Sequence, residues 1–247
     1  GTLDVVRKYE PWISRWVSEP DRGMYDAINK GFAVSTGEIM AWSPADDLYV
    51  PGALGIIGAV FWQLPRIEWL TSLYKIQYNE DGQETARYRV SGFSGGAFRK
   101  GYNVPGGSRY ASHSIQQQST FWRRSLWERA GGRMDDSMCG AADFDLWCRF
   151  YHHADPYALD QPIGVFRTRA GQVSERARDQ MQQEQDHAFL RNGGRYVGRL
   201  EGVFRRCLMR RRPLVWLRCL PGLGFTGLSV QWSGHECPAE IRKYRFV

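Results

Sequence analysis

SEPDRGMYDAINKGFAVSTGEIMAWSPADDLYVPGAL, residues 18–54, is the stretch on which the reading of the fold turns. Its portion MYDAINKGFAVSTG sets Ala27, Ile28 and Phe32 along one helical face before Gly37 closes the helix, and EIMAW follows as a short strand. Two adjacent carboxylates, Asp46 and Asp47, end that strand. Like charges side by side repel, and each loses hydration when a fold takes it in without a partner. Pro51 then stands where the first turn of a further helix, VPGALGIIGAVFWQL, accepts proline.

The same alternation extends outward. Upstream, GTLDVVRKYE reads as the inside of an amphipathic helix, with Leu3, Val6 and Tyr9 on one side, and WISRWVSE reads as a strand closed by the turn PDRG. Because Gly1 falls inside that helical pattern, the expectation is an N-terminally truncated fragment. Downstream, IEWLTSLYKIQYN and ETARYRV flank Asp81-Gly82, a favoured tight-turn pair, and predict a hairpin. STFWRRSLWERAGG reads as strand into helix, DFDLWCRFYHHA as a helix, and YALDQPIGVFR as a final strand. Alternating units predict an α/β fold with a mixed, mainly parallel sheet covered by helices. From about residue 175 the composition shifts to Arg, Gln and Glu, which predicts a core over 1–190 and a basic helical C-terminal extension over 191–247.

With 247 residues, 43% of them hydrophobic and 14% aromatic, the chain is built to bury a core and does not read as disordered. The net charge of +7 suits an anionic partner such as nucleotide phosphate, nucleic acid or an acidic lipid surface. Five cysteines without a C-x-x-C pair indicate neither a disulfide framework nor a zinc knuckle, and fit a reducing compartment. No run of about 20 uncharged apolar residues occurs, so the expected location is the cytoplasm, including the inner face of the membrane.

In a mostly parallel sheet, ligands collect outside the carboxyl ends of strands, which is where Asp46 and Asp47 stand. A divalent cation, Mg2+ or Mn2+, would relieve their repulsion and bridge them to substrate phosphates. The blander reading is a pair of acids that stops a strand and favours the next helix N-terminus. Beyond the pair, the segment from SEPDRGMYDAIN to the acidic motif resembles the signature of inverting family 2 glycosyltransferases with the GT-A, Rossmann-like fold. QQSTFWRRSLWERAGG, AADFDLWCRF and FRTRAGQVS resemble the acceptor-side block of the same family, in the same order over roughly residues 1 to 175.

The resemblance implies a nucleotide-sugar donor, a glycan or lipid-linked acceptor, and a place in cell-surface polysaccharide or glycolipid synthesis. It assigns Asp46 and Asp47 to the donor ribose and the metal on its diphosphate, leaving open which does which, since Pro44 replaces a frequent Asp or Asn. It assigns Asp143 as the base that takes the acceptor proton, with Asp145 equally eligible as a helix N-terminal acid. Asp21 and Asn29 fall in the nucleotide-facing segment, or serve as a turn aspartate and a polar helix-face residue. Gln117, Arg124, Arg167 and Gln172 fall on the sugar and acceptor side, with a surface ion pair the alternative for Arg124. Arg169 stands where relatives carry His; it cannot ligate a cation but can pair with phosphate oxygens. Trp122 and Trp127 are sugar-stacking candidates or core.

Arg205, Arg206, Arg210, Arg211 and Arg212, followed by LVWLRCLPGLGF, can lie on an anionic membrane surface or form a solvated basic helix. Nucleic acid is disfavoured as a partner, because no recognition motif accompanies the charge. The competing functional class is a degenerate, noncatalytic domain that binds a glycan or a membrane-associated partner.

Overall fold

A computed structural model of the chain describes residues 1–105, 114–198, 200–201, 203, 224–234 and 238–246. Helix α1 (Thr2–Tyr9) leads into a single 3-10 turn. Residues 12–19, expected as a strand, form none. Their apolar side chains stay in solvent, Trp12 at 78% and Val17 at 57% exposure, so no buried face rewards ladder formation there. Helix α2 (Met24–Val34) begins after Gly23, whose φ of 132° is open to glycine and whose N–H donates to Asp21 Oδ1 at 2.9 Å.

The elements that follow are β1 (Ile39–Met40), β2 (Leu48–Tyr49) and helix α3 (Ala53–Gln63), then β3 (Trp69–Ser72), β4 (Tyr74–Tyr78) and β5 (Glu84–Arg89). Helix α4 (Gly95–Arg99), capped by Ser94, precedes β6 (Thr120–Arg123), α5 (Arg124–Arg129) and α6 (Ala142–Phe150). Strands β7 (Tyr157–Leu159) and β8 (Gly164–Arg167), helices α7 (Val173–Arg176) and α8 (Arg178–Arg191), and strands β9 (Phe225–Gln231) and β10 (Glu240–Phe246) complete the described chain.

Two mixed sheets result. The larger has the order β1-β6-β3-β7-β9-β10, and its pairings make β1, β3, β7 and β9 run one way with β6 and β10 reversed. The mainly parallel α/β architecture read from the alternation is therefore present. The smaller has the order β2-β8-β4-β5, with β8 and β4 parallel and both edges antiparallel.

Two runs that read as single strands are each divided between the sheets. At Leu73 the chain leaves the larger sheet for the smaller: its N–H donates to Leu159 O and its carbonyl accepts from Val90 N–H. In YALDQPIGVFR the break falls at residues 160–163, where Pro162 cannot donate to a ladder.

The core beneath the larger sheet is aromatic. Trp69, Trp122 and Trp147 are fully buried, with Trp69 stacked on Trp147 at 5.7 Å and Trp122 edge-on to Trp147 at 5.6 Å. Trp127 packs against Phe32 in the same cluster. Trp122 and Trp127 are thus core residues.

The C-terminal reading is corrected in part. Residues 225–231 and 240–246 are strands in place of the expected helices, and β9 pairs in parallel with β7 in the larger sheet. The alternation in FTGLSVQ buries Phe225, Gly227 and Ser229, a period-two pattern that the neighbouring apolar run conceals, with Val230 buried on the opposite face. A division near residue 190 thus cuts through one sheet. The basic run Arg205–Arg212 lies outside the described residues. Among the described residues, no helix is long and apolar enough to cross a membrane.

Candidate active site

The acidic pair sits in the loop between β1 and β2. A turn with Asp47 N–H donating to Pro44 O at 3.2 Å brings the two carboxylates to the end of the smaller sheet. There Arg167 N–H donates to Asp47 Oδ1 at 3.0 Å, and Arg169 Nε pairs with Asp46 Oδ2 at 2.9 Å. Both partners come from β8 and the residues just after it. Burial pushes the Asp47 carboxyl up to about 6; the neighbouring Asp46 charge adds to this, and the Arg167 amide opposes it.

Opposite stands the N-terminus of α6. Asp143 Oδ1 accepts from Phe144 N–H at 2.7 Å, and burial raises this carboxyl to about 6 as well. Beside it the Tyr25 hydroxyl faces the Ala142 and Asp143 amides, and burial raises the phenol, helped by the Asp143 charge. Two residues on, Asp145 is a different kind of acid. It is 1% exposed and accepts from Arg149 Nε at 2.9 Å and from an Arg191 guanidinium nitrogen at 2.7 Å, which ties α6 to α8.

Asp46, Asp47 and Asp143 line one cleft of about 430 Å³, together with Gln117, Gln172, Tyr25, Lys75 and Arg169. The Gln117 amide donates to Trp42 O, and Gln172 Nε2 donates to Arg167 O at 2.7 Å, so both amides are held at the cleft wall. Gly164 makes the wall possible: a Cβ there would lie 2.5 Å from the Gln118 carbonyl oxygen, so only glycine lets residues 116–118 cross β8.

The remaining sequence candidates lie elsewhere. Asp21 borders a separate hollow of about 760 Å³ beside α2, whose lining includes Arg15, Trp16 and Lys30 but none of the three cleft acids. Asn29 is pinned in both directions to Met134, accepting from its N–H at 2.7 Å and donating to its carbonyl at 3.0 Å. Arg124 donates to Gly37 O and Ser35 Oγ, both at 2.9 Å, bracing the exit of α2. Arg167 reaches the site through its backbone amide, while its Nε is buried without a hydrogen-bond partner among the described residues.

Lys75 and Tyr25 were not among the sequence candidates. In YKIQY, Lys75 and Gln77 alternate with the buried Ile76, which reads as an ordinary solvent face. The burial of Lys75 involves Ser114, in a segment passing over the sheet, which no local pattern announces.

A cation can be tested against this donor set. Among the described residues, no group of three or more His, Cys, Asp or Glu is placed to hold a metal. Two adjacent carboxylates fit Mg2+ or Mn2+ where substrate phosphates and water complete the shell, and a cation would lower the raised Asp47.

No protein-family profile and no curated protein matches the sequence. Solved structures do. Residues 1–349 of TarS from S. aureus in complex with UDP-GlcNAc share 14% identity, cover 87% of this chain, and superpose with a TM-score of 0.57. A second structure of the same TarS residues gives 13% identity over 87% of this chain and a TM-score of 0.51. The chain spans 62% and 61% of those two TarS chains. At that identity the likeness shows the fold: this chain has the α/β architecture of a protein crystallised with a nucleotide sugar.

Proposed function

We propose that the protein is a glycosyltransferase that moves a sugar, with inversion, from a nucleotide diphosphate donor to an acceptor hydroxyl. The observation that carries this reading is the convergence of Asp46, Asp47 and Asp143, from two separate segments, on one cleft. The fold shared with UDP-GlcNAc-bound TarS supports it.

In this reading Asp46 and Asp47 would hold a divalent cation at the diphosphate end of the donor. When bound, the cation supplies charge to stabilise the departing diphosphate. Asp143 takes the proton from the acceptor hydroxyl as its oxygen bonds to the anomeric carbon and the bond to the diphosphate oxygen breaks. A carboxyl raised to about 6 is still ionised at neutral pH and is a stronger base than an ordinary aspartate. Arg169, paired with Asp46, can turn to a phosphate oxygen when donor enters. Gln117 and Gln172 present amides to the sugar and acceptor. Asp21, Asn29 and Arg124 support the architecture around the cleft.

One observation favours a noncatalytic sugar-binding domain as the second reading. Arg169 gives Asp46 a cationic partner from the chain itself, where the resemblance places His. Calorimetric titration of UDP with and without Mn2+, beside UDP release from UDP-GlcNAc, separates the two. The enzyme reading expects Mn2+-dependent UDP binding that an Asp46→Asn, Asp47→Asn double variant loses, and measurable UDP release. Metal-independent binding without release would establish the noncatalytic reading instead.

A further inference from the structure

Lys75 is a buried cation in the cleft that the transfer step above does not use. It is 8% exposed, and its only hydrogen bond among the described residues runs from Nζ to Ser114 Oγ at 3.0 Å. No carboxylate pairs with it among the described residues, although every cleft acid belongs to the same cavity. A buried ammonium without a counter-charge is costly, and retention of one points to an anion supplied from outside the chain.

Strand register places this charge apart from the acidic pair. Gln77 lies opposite Phe166, and the β2–β8 register continued by one residue sets Asp47 beyond Phe166 in the same row. Lys75 belongs to the next row on the same face, opposite Tyr88 on β5 and level with Gly164 by the same continuation. Two strand spacings and two residues of rise separate the Lys75 and Asp47 backbones by roughly 12 Å. The lysine therefore occupies the end of the cleft away from the carboxylates assigned to the donor diphosphate. Tyr88 and Gln77 flank it there, and Ser114 lies above.

We infer that Lys75 and Ser114 form an anion subsite for an acidic group, phosphate or carboxylate, carried by the acceptor. The inference rests on the glycosyltransferase reading for the word acceptor; the subsite itself rests on Lys75. Burial lowers the Lys75 ammonium to about 8, which leaves most of it charged at neutral pH. The hydroxyl of Ser114 can turn its hydrogen towards an incoming oxygen while its lone pair keeps the lysine.

The test uses the whole chain with inorganic phosphate and acetate as probes, in calorimetry and in ligand-dependent thermal shifts. Lys75→Met is expected to weaken phosphate or acetate binding by about tenfold or more, the loss of one charge-assisted hydrogen bond. UDP binding with Mn2+ should change less than twofold, and the melting temperature without ligand should not fall. Ser114→Ala, which keeps the charge, should weaken the same probe by a smaller factor and serves if Lys75→Met does not fold. Failure of the wild-type protein to bind either probe, or equal binding by the variants, would overturn the subsite. Equal loss of UDP and phosphate would overturn it too, by assigning Lys75 to the donor. Absent UDP binding beside intact, Lys75-dependent phosphate binding would instead sink the glycosyltransferase reading and leave the subsite standing.

Discussion

The two flanks of helix α6 treat an aspartate in opposite ways. On the flank towards α8, Asp145 is closed in by Arg149 and Arg191, and its charge is matched inside the protein. On the flank towards the cleft, Asp143 accepts from a backbone amide and pairs with no arginine or lysine among the described residues, and burial raises its carboxyl to about 6. Two residues apart on one helix, the acids differ in what completes them: arginines from the same chain, or a group yet to arrive. On the cleft floor, Lys75 is likewise buried with no acid paired to it among the described residues.

The sharpest way to break this comparison is to neutralise each acid in turn. Asp143→Asn should reduce UDP release from UDP-GlcNAc by about 10²–10⁴-fold while the protein stays folded. Unchanged turnover would remove Asp143 from the chemistry. Asp145→Asn should do the reverse, lowering stability by about 3 kcal/mol, or several degrees of melting temperature, because it strips a partner from two arginines. A variant as stable as the wild type would show that the pairing with α8 contributes little.

The pH dependence sharpens the contrast with the smallest effect. The folded Asp143 carboxyl lies near 6, above its unfolded value of about 3.9, so the native state retains a proton that the unfolded chain has released. Stability from this group is present at low pH and is lost as pH rises through about 4 to 6; Asp47 behaves alike. Asp143→Asn should then gain about 1–2 kcal/mol at pH 7 relative to pH 4, read from urea midpoints. Activity runs the other way, falling as pH drops below about 6. A pH-independent midpoint difference between variant and wild type would mean that Asp143 is not desolvated.

Local patterns made the helices and the β4–β5 hairpin legible, because helical spacing at Phe144, Trp147 and Phe150 and the Asp81-Gly82 turn are short-range signals. Asp46, Asp47, Asp143, Gln117 and Gln172 were named from the sequence, and the fold brings them to one cleft. What escaped depends on distant partners. A switch between sheets at Leu73 leaves no break in hydrophobicity, and β9 becomes a strand because β7 offers it an edge. The 12–19 run carries Trp, Ile and Val, which favour strands, but joins no ladder among the described residues. Lys75 looked like a solvent-facing lysine because its cover comes from some 40 residues further along the chain.

The insertion of β9 beside β7 also has a consequence for biosynthesis. One edge of β7 stays unpaired until residues 225–231 have left the ribosome, well over sixty residues after β7 itself. At about 5–20 residues per second that interval lasts on the order of several seconds. During it the nascent chain presents an open strand edge next to its aromatic core, the kind of surface that holdase chaperones shield and neighbouring nascent chains can capture.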